Sequence, residues 1–275
     1  MNTFSDALKG LVMGACLVVG SPWALAAEQQ AGQRVTDPHF QLAPGYLDPA
    51  RLPDSRLLLG PPPDQSTAAF ARDEEARQYT IPLRGNARWL LARQDADLNF
   101  PQPAKNFSCA LGVPIDEAST PVIYNMMRKV LTDAGLSTYG VKNTYKRVRP
   151  FVEHAEGTCW PEQEALLRED GSYPSGHTAA GWAWALVLAE IHPERADALL
   201  SRGLAFGQSR VICNAHWQSD VDAGRVMGAA TVAVLHADAA FQADLDAARQ
   251  ELRRAQAAAA LTPALCAAES SALGK

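Results

Sequence analysis

The sequence predicts an all-α protein built as one helical bundle. Residues 118–134 place apolar side chains at helical intervals on one face, as an amphipathic helix does. Residues 178–191 are apolar nearly all round, which is typical of a helix inside a core. Few segments alternate apolar and polar residues in the manner of strands.

The first 26 residues have the features of a secretory signal peptide. Lys9 precedes an apolar run over residues 11–19, and Ala24-Leu25-Ala26 supplies small side chains for cleavage. The run is too short to cross a bilayer, which takes about 20 apolar residues. We therefore expect export, with cleavage after Ala26.

Residues 27–65 are rich in Pro, Gly and Asp and show little periodicity, so we expect an extended arm. A helical domain over residues 66–260 follows. Its first part, residues 66–92, predicts two helices with a break near Thr80-Ile81-Pro82. Residues 101–114 are predicted as loop.

Apolar residues at helical spacing predict a helix over residues 118–134 that ends near Gly135; they are Ile123, Met126, Met127, Val130 and Leu131. Further helices are predicted at residues 178–191, 193–208, 219–236 and 241–260. Ser219 and Asp222 are candidates for the pair that caps the third of these. Residues 261–275 are assigned to a C-terminal tail.

Three groups of residues suggest a site for a phosphoryl group. Lys142, Arg149 and Arg210 could supply positive donors to its oxygens, and a guanidinium can grip two oxygens at once. Residues 171–178 combine glycines, hydroxyls and an imidazole at a predicted helix start. There Ser175 can donate its hydroxyl, and Gly176 lets the first helical amides approach an anion.

Two histidines suit the two chemical roles that such a site needs. His216 and Asp220 are four residues apart, so the carboxylate could orient the imidazole and leave its other nitrogen free to attack phosphorus. His177 could protonate the leaving group and later activate water. A His-x-x-x-Asp pair alone is more often a helix surface pair, so the prediction depends on all three groups occurring together.

Other residues near these groups have plainer interpretations. Lys146 and Arg147 are assigned to the solvated surface, where most single cations lie. Trp217 and Tyr173 are candidates for the walls of the substrate mouth, the alternative for Trp217 being a core position.

The motifs together resemble the three-part signature of the phosphatidic-acid-phosphatase type 2 (PAP2) and vanadium haloperoxidase superfamily: Lys142-x6-Arg149-Pro150, Pro174-Ser175-Gly176-His177 and Ser209-Arg210-x5-His216-x3-Asp220. The full octet over residues 171–178 is similar to the signature of the bacterial class A non-specific acid phosphatases. The likeness runs from about Tyr46 to about Glu251.

This resemblance implies an all-helical fold of the PAP2 and haloperoxidase type. It implies hydrolysis of a broad range of phosphomonoesters through a phosphohistidine, without metal or cofactor. The signal peptide indicates that this hydrolysis takes place in the periplasm. Transfer of the phosphoryl group to an alcohol is also open. By position, it assigns His216 as nucleophile, Asp220 as its partner and His177 as acid/base. It assigns phosphate binding to five residues: Lys142, Arg149, Ser175, Gly176 and Arg210.

Cysteine content fits an exported protein. Four cysteines follow the signal peptide, which suits two disulfides in an oxidising compartment: Cys109, Cys159, Cys213 and Cys266. Three pairings are open. The cysteine spacing is unlike that of a zinc site.

The net charge of −5 argues against nucleic acid as a partner. Asp222 and Arg225 interrupt the apolar stretch over residues 221–235, so no integral membrane segment is expected in the mature chain. A homo-oligomer is compatible with the sequence, although nothing requires one. Two other functions stay open: a vanadate-dependent haloperoxidase, which shares the motifs, and a periplasmic phosphate-binding protein without turnover.

Overall fold

Helices account for the whole regular structure of the part of the chain that a computed structural model describes, residues 42–258 and 261–274. The predicted signal peptide and the first part of the predicted arm lie outside these residues. The helices are α1 Ser55–Leu58, α2 Ala68–Thr80, α3 Ala87–Ala96, α4 Gln102–Leu111, α5 Pro121–Ser137, α6 Tyr139–Tyr145, α7 Pro150–Glu153, α8 Glu164–Glu169, α9 Gly176–Ile191, α10 Ala196–Ile212, α11 Gln218–Leu235, α12 Ala239–Ala258 and α13 Pro263–Ala272. The predicted all-α class is confirmed.

The apolar helix α9 lies at the centre of the bundle, packed against α5, α10 and α11. Its apolar side chains, with those of α5 and α12, form the main core. Two glycines of α11 allow the closest contact. A Cβ atom at Gly224 would lie 2.6 Å from the carbonyl oxygen of Ser175, and one at Gly228 would lie 2.5 Å from that of Ala179. Glycine at both positions therefore brings α11 against the N-terminal end of α9.

Most predicted helices are confirmed within a few residues of their bounds. The predicted break near Thr80-Ile81-Pro82 is a 3₁₀ turn, Ile81–Leu83, between α2 and α3. The five apolar residues that predicted α5 are all buried. Helix α9 begins two residues earlier than predicted, at Gly176, because Ser175 caps it by accepting the Thr178 N–H at 3.2 Å.

Two predictions of local helical structure are wrong. Residues 101–114 are not all loop, because α4 occupies Gln102–Leu111. Pro103 lies in its first turn, where a missing N–H costs no hydrogen bond, and Gly112 ends the helix with φ of 89°. The α11 cap is not Ser219 with Asp222. The carboxylate of Asp220 instead accepts the N–H of Trp217, the residue before the helix, at 2.8 Å.

The four cysteines form two disulfides, Cys109–Cys266 and Cys159–Cys213. The first joins α4 to α13, a helix within the segment predicted as tail. The second joins the segment before α8 to the C-terminal end of α10, three residues before His216.

All described residues belong to one compact unit. Within residues 42–258 and 261–274, no individual helix has the length and apolar character to cross a bilayer. Helices α11 and α12 meet that standard only as a pair, bent by 96°.

Candidate active site

The three motif groups meet at the ends of five helices. Lys142 lies on α6, and Arg149 directly precedes α7. Residues 175–177 form the start of α9, and Arg210 lies in the last turn of α10. The turn between α10 and α11 holds His216, and the first turn of α11 holds Asp220. The structure thus brings all eight predicted site residues together.

His216 is buried between a carboxylate and a guanidinium. Its Nδ1 lies 3.3 Å from Asp220 Oδ2, and its Nε2 lies 3.0 Å from Arg149 Nη1. A guanidinium can only donate, so Nε2 is the acceptor and Nδ1 carries the proton. This tautomer gives His216 a lone pair on the side away from Asp220.

Arg149 and Lys142 are nearly inaccessible, and residues 170–171 hold both. One carboxylate oxygen, Asp170 Oδ2, lies 3.0 Å from Arg149 Nη2 and 3.5 Å from Lys142 Nζ. The carbonyl oxygen of Gly171 accepts from Lys142 Nζ at 2.6 Å. Burial lowers the pKa of Lys142 to about 8, against the opposing effect of the Asp170 charge.

Arg210 differs from the other two cations because part of its guanidinium has no partner. Its side chain is 1% exposed, and among the described residues its Nε and Nη1 atoms make no hydrogen bond. Burial, and then repulsion by Arg149, lower its pKa to about 9. Buried donors without partners are rare, and these two are chemically suited to an anionic acceptor.

The N-terminal end of α9 contributes to the same place. Ser175 is fully buried, and its N–H donates to the carbonyl oxygen of Asp220 at 3.0 Å. A Cβ atom at Gly176 would meet only Thr138 Oγ1, at an ordinary 3.6 Å. Packing within the protein therefore does not require glycine at position 176.

His177 is held from α3. Its Nε2 lies 2.9 Å from the carbonyl oxygen of Ala96 and donates to it, so in the neutral ring the lone pair is on Nδ1. Burial lowers the pKa of His177 well below the ordinary value, and the charge of Arg210 lowers it further. Burial and the charges of Arg149, Arg210 and Lys142 do the same to the pKa of His216. Both imidazoles thus belong to one positively charged cluster.

The interpretation of Arg147 as a surface cation is wrong. Its side chain is 7% exposed, and Nη1 lies 2.6 Å from Asp220 Oδ1. Lys146, by contrast, is exposed as expected. In the sequence, the only indication that Arg147 belongs to the site is its position two residues before Arg149. Its burial could not be predicted, because the carboxylates that pair with it lie far away in the chain.

Trp217 and Tyr173 do not form an open mouth. Trp217 is 2% exposed, packs against Phe70 with ring centroids 5.1 Å apart and ring planes tilted by 54°, and donates from Nε1 to the carbonyl oxygen of Val148. Tyr173 is 6% exposed. Sequence reasoning also did not single out Asp170, although it directly precedes the octet, or Asp95, which accepts the Ser209 hydroxyl beside Arg210 at 2.6 Å.

Comparison with known proteins identifies the family. The sequence model of the PAP2 superfamily matches residues 123–243, a range that contains all eight site residues. The chain is 47% identical over 208 residues to a non-specific acid phosphatase of Salmonella typhimurium, covering 75% of this chain and 83% of that protein. It is 44% identical over 210 residues to a non-specific acid phosphatase of Providencia stuartii, covering 76% and 85%.

An acid phosphatase of Zymomonas mobilis is 42% identical over 206 residues, covering 75% of this chain and 78% of that protein. These matches, together with the helical fold and the convergent motif residues, agree with the resemblance read from the motifs. The chain belongs to the class A non-specific acid phosphatases of the PAP2 superfamily.

Proposed function

We propose that this enzyme hydrolyses a broad range of phosphomonoesters through a phosphohistidine formed on His216. The unpartnered Nε and Nη1 atoms of Arg210, buried beside Arg149, are the observation that carries the proposal. A phosphate would satisfy both donors and would balance the surrounding positive charge. Three cations, Lys142, Arg149 and Arg210, already supply that charge, so we propose a reaction that needs no metal ion.

The first step is attack of His216 Nε2 on phosphorus. A phosphate oxygen replaces Nε2 as the acceptor for Arg149, and the freed lone pair forms the N–P bond. As the P–O ester bond breaks, protonated His177 gives its Nδ1 proton to the leaving oxygen. Asp220 stabilises the positive charge that develops on the imidazole.

The second step releases phosphate. His177, now neutral, takes a proton from water. The hydroxide oxygen attacks phosphorus, and the N–P bond breaks to return His216 and release phosphate. An alcohol in place of water would accept the phosphoryl group, so the same site supports phosphotransfer.

Gly176 leaves room at the first turn of α9, where a phosphate can meet the helix amides.

Export to the periplasm is part of the proposal. It is supported by the signal-like residues 1–26 and by two disulfides, which persist in oxidising compartments. Detection of a chain that begins at Ala27 in a periplasmic fraction would support this location. Recovery of the full-length chain from the cytoplasm would contradict it.

Phosphate release from p-nitrophenyl phosphate in excess EDTA tests the function directly. We expect turnover by the wild type and by a control variant, His236→Ala, whose histidine is 40% exposed and pairs with Glu190. His216→Ala should lose it. Turnover by His216→Ala would refute the nucleophile assignment. Halide oxidation with bound vanadate and no phosphate release would instead favour the haloperoxidase function.

A further inference from the structure

Arg147 links Asp220 to a second buried carboxylate, Asp73. Its Nη1 lies 2.6 Å from Asp220 Oδ1, and its Nη2 lies 2.7 Å from Asp73 Oδ2. The Asp73 and Asp220 side chains are 3% and 0% exposed. A continuous buried chain therefore runs from His216 through Asp220 and Arg147 to Asp73.

Asp73 also fixes the start of the helix that carries Asp220. Its Oδ1 accepts the Ser219 N–H at 2.7 Å, and its Oδ2 accepts the Ser219 hydroxyl at 2.6 Å. Arg147 Nη1 donates to the same hydroxyl oxygen at 2.7 Å. Helix α2 is thereby tied to the first turn of α11.

The two oxygens of Asp220 have separate partners. Oδ1 accepts from Arg147, whereas Oδ2 accepts the Trp217 N–H and faces His216 Nδ1. The Arg147 guanidinium also lies 5.4 Å from the centroid of the Trp217 ring. This arrangement fixes the plane of the carboxylate, and with it the direction in which the His216 imidazole points.

We propose that Arg147 and Asp73 are positioning residues for phosphoryl transfer, which keep Asp220 ionised and oriented towards His216. The proposal depends on the proposed function of His216 as nucleophile. Arg147 acts through Asp220 and not on the substrate, since its hydrogen bonds go to Asp220, Asp73 and Ser219. A buried carboxylate without a cation would take up a proton and lose its effect on the imidazole.

Charged and titratable groups approach Asp220 from every packed element: His216, Arg147, Arg149, Lys142 and Tyr173, with Asp73 behind Arg147. Burial raises the pKa of Asp220, and Arg147 is the strongest opposing influence. Loss of Arg147 would raise that pKa further, so Asp220 would be protonated over more of the acid range. The acid limb of kcat/KM should then move to higher pH.

A double-mutant cycle with Arg147→Met and Asp220→Asn tests this directly. We expect Arg147→Met to lower kcat by about 100-fold, as expected for a group that orients a catalytic His–Asp pair. Its acid limb should move to higher pH. The inhibition constant of inorganic phosphate should change by less than about threefold. An interaction that acts mainly in the transition state changes kcat and leaves the binding of a ground-state ligand almost unaltered. In the Asp220→Asn background, Arg147→Met should cost little more.

Arg77→Met is the matched control, because Arg77 is a largely buried arginine on α2 that pairs with Glu74 and Glu156. It should lower thermal stability without moving the acid limb. A folded Arg147→Met variant with wild-type kcat and pH profile would overturn the proposal. Independent, multiplicative losses in the double variant would do the same.

If Arg147→Met does not fold, Asp73→Asn decides the question. We expect a smaller shift of the acid limb in the same direction, and an unchanged profile would overturn the proposal. If the proposed role of His216 as nucleophile is itself wrong, the result is different, because His216→Ala would then keep phosphatase activity. Activity that requires His216 but is indifferent to Arg147 and Asp73 would refute only the positioning role.

Discussion

Arg149 Nη1 lies 3.0 Å from His216 Nε2, on the side of the imidazole opposite Asp220. Because a guanidinium only donates, Nε2 is an acceptor and His216 is neutral, with its lone pair pointing into the cluster of cations. Burial and nearby positive charge both lower the pKa of this histidine, which favours the same neutral form. The imidazole that we propose as nucleophile is thus held in the neutral form that attack requires.

The charge of the site predicts an acid pH optimum. His216 must be neutral to attack, so kcat/KM falls below its pKa; His177 must be protonated to donate, so kcat/KM falls above its pKa. Burial and the arginines lower both pKa values, so both limbs should lie below the ordinary histidine value of about 6.5.

The pH dependence of the rate should be measured with two substrates whose phosphate groups differ in pKa. A limb that is the same for both substrates reports an ionisation of the enzyme, and one that differs reports an ionisation of the substrate. The kcat profile should lie at higher pH than the kcat/KM profile, because bound phosphate offsets the charge of the arginines. A profile that is flat from about pH 5 to 8 would be inconsistent with this assignment.

Arg210→Met should separate activity from stability. Loss of a donor to the transferred group should lower kcat by about 10²- to 10³-fold. The free energy of unfolding should rise by about 1–3 kcal/mol, since the buried and unpartnered donors are removed. Denaturant unfolding with and without phosphate measures both this change and the loss of stabilisation by the ligand.

Arg202→Met is the control for Arg210, because Arg202 is equally buried but pairs with Asp95. Removing one partner of that pair should destabilise the protein by about 3–5 kcal/mol. If Arg210→Met lowered the free energy of unfolding as much as Arg202→Met does, the prediction would be wrong, and Arg210 would have a structural role in the folded protein.

Asp170→Asn should weaken phosphate binding mainly at higher pH. Asp170 raises the pKa of Lys142, which burial has lowered to about 8. Without that carboxylate the pKa of Lys142 falls further, so its charge is lost in the pH 7–8 range and kept near pH 5. The inhibition constant of phosphate, measured across this range, reports the change.

Glu169→Gln removes an exposed neighbouring carboxylate and should leave phosphate inhibition unchanged at every pH. A loss of affinity in Asp170→Asn that is equal at pH 5 and pH 8 would show that the geometry of Arg149 and Lys142 matters more than the Lys142 charge.

The two disulfides should have different effects on activity. Loss of Cys159–Cys213 releases the end of α10, between Arg210 and His216, and should lower both stability and kcat. Loss of Cys109–Cys266 releases α13 and should lower mainly stability. Either loss should cost about 2–4 kcal/mol. Paired Cys→Ala variants, compared by thermal unfolding and by kcat, would contradict this if both had equal kcat losses.

The sequence predicted the elements that local chemistry determines. The apolar residues 178–191 could form only a core helix, and Ser175 ahead of them supplied its cap. Helix α4 was missed because several prolines in a short segment are typical of a loop, and this segment contains Pro101, Pro103 and Pro114. Proline is nevertheless tolerated in the first turn of a helix, where Pro103 lies.

Long-range pairing could not be predicted in the same way. Arg147 and Asp73 are 74 residues apart, and nothing near Asp73 indicates that α2 packs against α11. The cysteines allowed three pairings, because their proximity depends on the complete fold. The site residues were accessible from the sequence through their motifs, whereas the ion pairs that orient them were not.

The most direct test of the account is to trap the covalent intermediate. Wild-type enzyme mixed with a phosphomonoester and quenched in alkali within one turnover should gain the mass of one phosphoryl group. Peptide mapping should place it on His216, and His216→Ala should gain none. A phosphoryl group on another residue, or efficient turnover by His216→Ala without any adduct, would contradict the central claim.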